Sequence, residues 1–167
     1  EDRDGGFWIA SYGQGLLRFA DPGFDVYDPS GGFIDRRSWV IIEDREGNLW
    51  SGTRSGLVRL RDGPVVSWAG RQGLADEHVR GIHEDPDGSL WFAHLTGISH
   101  FRQGRIENIG AQDGLTGGVY RSILRDKRGR LWAAGEFGIS VQTSTGWRRF
   151  DRRDGLPSDN VKITRET

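Results

Sequence analysis

Apolar residues along this chain come in short runs, each closed by glycine, aspartate or asparagine. Glu43-Asp44-Arg45-Glu46-Gly47-Asn48 ends one run and turns into Leu49-Trp50-Ser51-Gly52-Thr53. Arg54-Ser55-Gly56 turns again into Leu57-Val58-Arg59-Leu60, and Asp62-Gly63 precedes Val65-Val66-Ser67-Trp68. Each turn offers Gly or Asp where a positive φ or a side-chain-to-backbone bond is wanted, so the runs predict short strands joined by tight turns. Glycine recurs too densely to leave room for a three-turn amphipathic helix.

The runs repeat. Trp8, Trp50, Trp91 and Trp132 are spaced 42, 41 and 41 residues apart. Gly15, Gly56, Gly97 and Gly138 recur every 41 residues, each followed by Leu or Ile. Gly32, Gly73, Gly114 and Gly155 keep the same interval, each followed by Phe or Leu. Three markers in phase divide the chain into repeats 1–42, 43–83, 84–124 and 125–167, the first holding one extra residue between Trp8 and Gly15. Four strands in about 41 residues is the signature of a β-propeller blade. Helical repeats of this length need long stretches without glycine, and a β-helix needs shorter rungs. The expected fold is therefore all-β, a β-propeller of four-stranded antiparallel blades with four blades per chain.

One fixed Trp per repeat suits a core position, because a blade must fill the gap to its neighbour with large side chains. Burying ~150–250 Å² per indole at ~25 cal/mol/Å² gives an upper bound of roughly 4–6 kcal/mol. Trp39, Trp68 and Trp147 lie off this register and are left unassigned.

The ends complement each other. Val79-Arg80-Gly81-Ile82-His83 precedes one Glu-Asp turn, its counterpart before Glu1 is missing, and Asn160-Val161-Lys162-Ile163-Thr164-Arg165-Glu166 has the same character. The C-terminal strand is thus expected to complete the N-terminal blade, which removes exposed edges. The chain then closes as a four-bladed monomer, pairs as a homodimer forming an eight-bladed ring, or is a fragment of a longer array. The absence of Met favours a processed chain or an excised piece.

Composition narrows the function classes. The chain has 167 residues, 28% charged and 11% aromatic, which suits one globular domain. With no cysteine, a disulfide scaffold and a cysteine metal site are excluded. Runs such as Trp39-Val40-Ile41-Ile42 are too short to cross a bilayer. A net charge of −1 favours neither nucleic acid nor an anionic membrane as partner.

The repeat resembles the two-component regulator propeller repeat of extracytoplasmic sensor regions in bacterial hybrid histidine kinases. The residues that carry the resemblance are Glu43-Asp44-Arg45-Glu46-Gly47-Asn48-Leu49-Trp50-Ser51-Gly52-Thr53 and Gly56-Leu57-Val58-Arg59. The inter-blade element Asp154-Gly155-Leu156-Pro157-Ser158-Asp159-Asn160-Val161 joins them. Repeats three and four depart from it, with Ala93-His94 and Ala134-Gly135 after the Trp and with His100 and Val141 in place of the Arg. The resemblance implies a periplasmic or extracellular sensor, often for oligosaccharides, without catalysis. It also implies more blades, a membrane helix and a kinase elsewhere, so the segment itself reads as a binding module.

Other chemistry is weaker. The turns Asp2-Arg3-Asp4-Gly5, Asp44-Arg45-Glu46-Gly47 and Asp85-Pro86-Asp87-Gly88 hint at calcium loops, but no downstream bidentate Glu follows at the required spacing. They read as hairpin turns. His78, His83, His94 and His100 show no ligand spacing, so no metal or other cofactor is expected. A streptogramin-lyase-like enzyme using His94 and Glu136, and a purely structural or assembly scaffold, are the rival readings. The four repeats carry −3, 0, −2 and +4, so Arg148-Arg149 and Arg152-Arg153 form a basic edge. That edge suits either a sulfated or phosphorylated ligand or pairing with the acidic first repeat.

Propeller ligands usually meet the loops between blades and between second and third strands. By register these loops hold Tyr12, Arg54, His94 and Glu136, and Arg37, His78, Tyr120 and Asn160. These side chains vary from repeat to repeat while the frame does not, as a binding surface would. They are the candidate ligand-binding residues.

Overall fold

A computed structural model describes residues 1–61 and 65–162. Among them lie fifteen strands and four single-turn 3-10 segments, and no α-helix. The first sheet has three strands, β1 (Phe7–Ala10), β2 (Leu16–Ala20) and β3 (Gly23–Tyr27). Three four-stranded sheets follow. They are β4 (Ser38–Glu43), β5 (Leu49–Thr53), β6 (Leu57–Leu60), β7 (Val66–Trp68); then β8 (Gly81–Glu84), β9 (Leu90–Ala93), β10 (Ile98–Arg102), β11 (Arg105–Ile109); then β12 (Tyr120–Arg125), β13 (Leu131–Gly135), β14 (Gly138–Thr143), β15 (Gly146–Phe150). Every pairing is antiparallel between sequence neighbours, an up-and-down meander. Each four-stranded sheet takes its first strand from the residues around a repeat boundary. The expected closing strand over Asn160–Glu166 runs into residues 163–167, which lie outside the described residues.

The chain forms two compact units, 1–79 and 80–167, each with two sheets. In the first, Leu16, Phe33, Leu49, Val58 and Leu60 are buried together, with Trp8, Tyr27, Ile41 and Val65 packed on them. In the second, Trp91, Ala93, Ile98, Leu115, Tyr120, Ile123, Leu131 and Ala133 form the core, with Ile109 and Trp147 against it.

Each repeated Trp is held by the Asp six residues before it. Nε1 of Trp8, Trp50, Trp91 and Trp132 donates to Asp2, Asp44, Asp85 and Asp126 at 2.7, 2.7, 2.8 and 2.8 Å. The same Asp closes its hairpin: Asp44 Oδ1 accepts the backbone N–H groups of Glu46 and Asn48 at 3.0 and 2.8 Å. The acidic turns are therefore filled by internal donors. A buried indole N–H needs a partner, and a turn carboxylate supplies it while fixing the strand's entry.

The glycine that opens each third strand has a steric reason. A Cβ on Gly56 or Gly138 would sit 2.2 or 2.1 Å from the carbonyl oxygen of Trp68 or Phe150, and both glycines have positive φ, 137° and 102°. Off-register tryptophans gain roles too. Trp68 stacks on Trp50 at 5.3 Å, where Tyr27 meets Trp8 and Phe150 meets Trp132 one or more repeats away.

Candidate functional site

The end of each unit that carries the inter-blade loops is organised by one recurring bond. The backbone N–H of Ser38, Val79, Tyr120 and Val161 donates to the carbonyl of Ser11, Thr53, His94 and Gly135 at 2.9, 3.0, 2.9 and 2.8 Å. It ties these four residues to the ends of β1, β5, β9 and β13. An aspartate or serine turn precedes it: Asp35, Asp76 and Ser158 accept the N–H of Arg37, His78 and Asn160 at 2.8, 2.8 and 3.1 Å.

In the first unit this brings four candidate residues to one end. Tyr12 and Arg37 form an isolated antiparallel bridge, and the Arg37 guanidinium lies 5.5 Å from the Tyr12 ring centre. Tyr12 is 74% exposed. Arg54 is exposed, and its N–H donates to the Arg37 carbonyl at 3.2 Å. His78 bonds Asp76 through Nδ1 at 3.1 Å and stacks on Trp39, 6.0 Å between centres and 19° between planes.

In the second unit the four candidates divide. Arg121 joins Glu136 and Asn160, donating to Glu136 Oε1 at 2.8 Å and to Asn160 Oδ1 at 3.0 Å. His94 and Tyr120 are elsewhere. His94 is 1% exposed, with Nε2 at 2.9 Å from Ser99 Oγ and Nδ1 at 3.4 Å from Thr96 Oγ1. Tyr120 is 3% exposed and its hydroxyl donates to the Thr116 carbonyl at 2.8 Å. The structure corrects the placement of both, from surface to core. Each is one residue off register: stepping 41 from Arg54 gives Leu95, and stepping 41 from His78 gives Val119. In a strand one residue of slip turns the side chain to the other face. His94 instead takes the place of the fully buried Thr53.

Trp39 and Arg121 are residues the sequence reading passed over. Both sit where the first strand's register shifts, between Ser38 and Val40 and between Tyr120 and Ser122. Such bulges re-aim a side chain. Their separation, two repeat lengths, was the available signal. The basic edge is partly neutralised locally, since Asp151 pairs with Arg153 at 2.8 Å and Arg149 at 3.5 Å. Hydrogen bonds from Arg153 hold the Asp151 carboxyl down at about 2.

A cleft of 540 Å³ opens at the opposite end of the first unit, beside the Asp2 and Glu46 turns, with Trp8, Tyr27, Leu49 and Val65 in its wall. None of the candidate residues lines it. Among the described residues no group of three or more His, Asp or Glu is placed to hold a metal ion.

Serial four-stranded meanders, each pinned by an Asp–Trp bond, define a β-propeller repeat protein. Three stretches, 32–55, 73–95 and 114–137, match the two-component regulator propeller family. Comparison with curated protein sequences gives no match. Among solved structures, the extracellular domain of a hybrid two-component system from B. thetaiotaomicron is similar at 25% identity and a TM-score of 0.73, covering 80% of this chain and 19% of that one. A second such extracellular domain from B. thetaiotaomicron gives 22% identity and 0.75, covering 90% and 24%. Virginiamycin B lyase from Staphylococcus aureus gives 19% and 0.72, covering 97% and 56%. The chain thus spans a fifth to a quarter of those extracellular domains and about half of the lyase. No helix among the described residues is long and apolar enough to cross a membrane.

Proposed function

We propose that the chain is a non-catalytic, ligand-sensing propeller module of a two-component regulator, working outside the cytoplasm, whose Tyr12–Arg37 end contacts an oligosaccharide. The exposed Tyr12 ring backed by Arg37 carries the reading. An aromatic face takes the apolar side of a sugar ring, and guanidinium groups on Arg37 and Arg54 donate in pairs to adjacent hydroxyls. The extracellular setting of the similar two-component domains supports both the location and the sensing role. The lyase-like alternative needs His94 at the surface as an acid or base, and a ring 1% exposed with both nitrogens engaged does not serve.

An oligosaccharide array followed by calorimetry tests the proposal. A binder is expected whose affinity falls about tenfold in Tyr12→Ala and in Arg54→Ala, one such contact being worth about 1.4 kcal/mol. A blank array, or a binder indifferent to both changes, overturns it.

A further inference from the structure

The cleft beside the Asp2 and Glu46 turns opens where the repeat elsewhere places an indole. Val65 stands in its wall, and stepping two repeats along the chain from Val65 gives Trp147. In the second unit that indole packs on the cluster holding Trp91 and Leu131. In the first unit the matching residues, Trp8 and Leu49, meet the much smaller side chain of Val65, with Tyr27 beside them. The 540 Å³ left open falls within the roughly 300–1,000 Å³ of small-molecule sites.

Charged groups around the opening are unspent. Arg18 covers the Trp8 ring at 5.6 Å, yet its guanidinium has no acceptor among the described residues, and its Nε is shut from solvent as well. Arg61 is exposed and also has no acceptor among the described residues. Arg3 ties the two turns together, donating to Glu43 and to the Asp44 carbonyl at 2.7 and 2.6 Å. At the exposed tips of those turns stand Asp4 and Glu46. The Asp4 carboxylate takes no bond from a described residue, and Asn48 Nδ2 reaches Glu46 at 3.4 Å. By register His100, Thr143, Asp87 and Arg128 take the four places in the second unit, so this set belongs to the first alone.

We propose that the cleft binds a free aromatic amino acid, with its ring where the second unit has Trp147. The carboxylate faces Arg18 and Arg61, and the ammonium faces Asp4 and Glu46, each a charge-assisted pairing. Trp8 and Tyr27, 5.3 Å apart between ring centres, offer the ring an edge or offset contact. A zwitterion suits a mouth that presents two guanidinium groups and two carboxylates. The cleft lies at the other end of the unit from Tyr12, so the site is independent of the oligosaccharide reading.

Calorimetry on the 167-residue chain with L-tryptophan as the probe tests this. Saturable binding is expected, about tenfold weaker for tryptamine and for indole-3-propionate, each of which lacks one charged group. Val65→Trp fills the opening from within and should abolish binding with the strand circular dichroism retained. Should that variant fail to fold, the exposed rim decides: Arg61→Ala narrows the margin over tryptamine, and Asp4→Asn narrows the margin over indole-3-propionate. No saturable binding, equal binding of all three probes, binding intact in a folded Val65→Trp, or both margins unchanged in the rim variants overturns the proposal.

Discussion

The imidazole of His100 lies flat on the indole of Trp91, 4.0 Å between ring centres and 9° between planes. The two are cross-strand partners, as Trp8 is of Arg18 and Trp50 of Arg59. Those arginines lie 5.6 and 5.7 Å from their indole centres. The repeat's arginine is thus an indole cover, and histidine replaces it with another flat cation-capable group. In the fourth sheet the partner position is Val141, and Arg130 covers Trp132 from its own hairpin turn.

His100→Arg should therefore fold and keep its melting temperature within about 3 °C, equivalent to roughly 1 kcal/mol at this size. It should also flatten stability against pH. Burial holds the His100 pKa below its ordinary 6.5, with Asp85, Asp87 and Glu107 opposing and Arg102 assisting. The unfolded chain then binds the proton first, so stability is full above about 6.5 and declines as pH falls through the folded value. Thermal melts between pH 7 and 5 should show a smaller loss in the variant.

Asp44→Ala removes the acceptor of a buried indole N–H and the clasp of its turn. An unsatisfied buried donor costs about 1–3 kcal/mol and a bond to a charged acceptor about 1.5–3, so a fall of about 2–4 kcal/mol is expected in urea melts. A change under about 0.5 kcal/mol would show that the indole is held by packing alone.

The four anchor carboxylates set the acid limit. Burial raises the Asp44 pKa, but hydrogen bonds from Trp50 and Asn48 outweigh it and bring it below 3.8. Burial likewise opposes bonds from Arg125 and Trp91 at Asp85, and the net direction is again down. Asp2, bonded by Trp8, and Asp126, bonded by Trp132 and Arg130 against its desolvation, are lowered as well. Depressed folded values mean stability that is complete above about 4 and lost as pH drops through them. Acid titration followed by tryptophan fluorescence should unfold the chain cooperatively below pH 4, and Asp44→Ala should flatten that limb.

Gly138→Ala places a Cβ 2.1 Å from the Phe150 carbonyl oxygen at a φ of 102°. Backbone must move, at about 1–3 kcal/mol for the dihedral alone. Gly129→Ala, whose Cβ meets open space at a φ of 79°, should cost less. Paired denaturant melts check the order.

The frame was legible because its constraints are periodic. Trp, the turn Asp and the strand-opening Gly each answer a need that recurs in every repeat. The rim was legible only in part. Tyr12, Arg37, Arg54 and His78 fall where turn spacing placed them, whereas His94 and Tyr120 were each misplaced by one residue. At strand ends a single step exchanges surface for core, and bulges at Trp39 and Arg121 shift that step without any mark in composition. The Asp-to-Trp interval of six was plain in the sequence, but only coordinates show that it is a hydrogen bond.

The separation of rim from frame is tested most directly by titrating an oligosaccharide binder into Tyr12→Ala and His94→Ala side by side in a calorimeter. Tyr12→Ala should lose about tenfold in affinity at unchanged melting temperature, while His94→Ala should melt earlier yet bind as tightly as the unaltered chain. Binding lost with His94 and kept without Tyr12 would contradict the account.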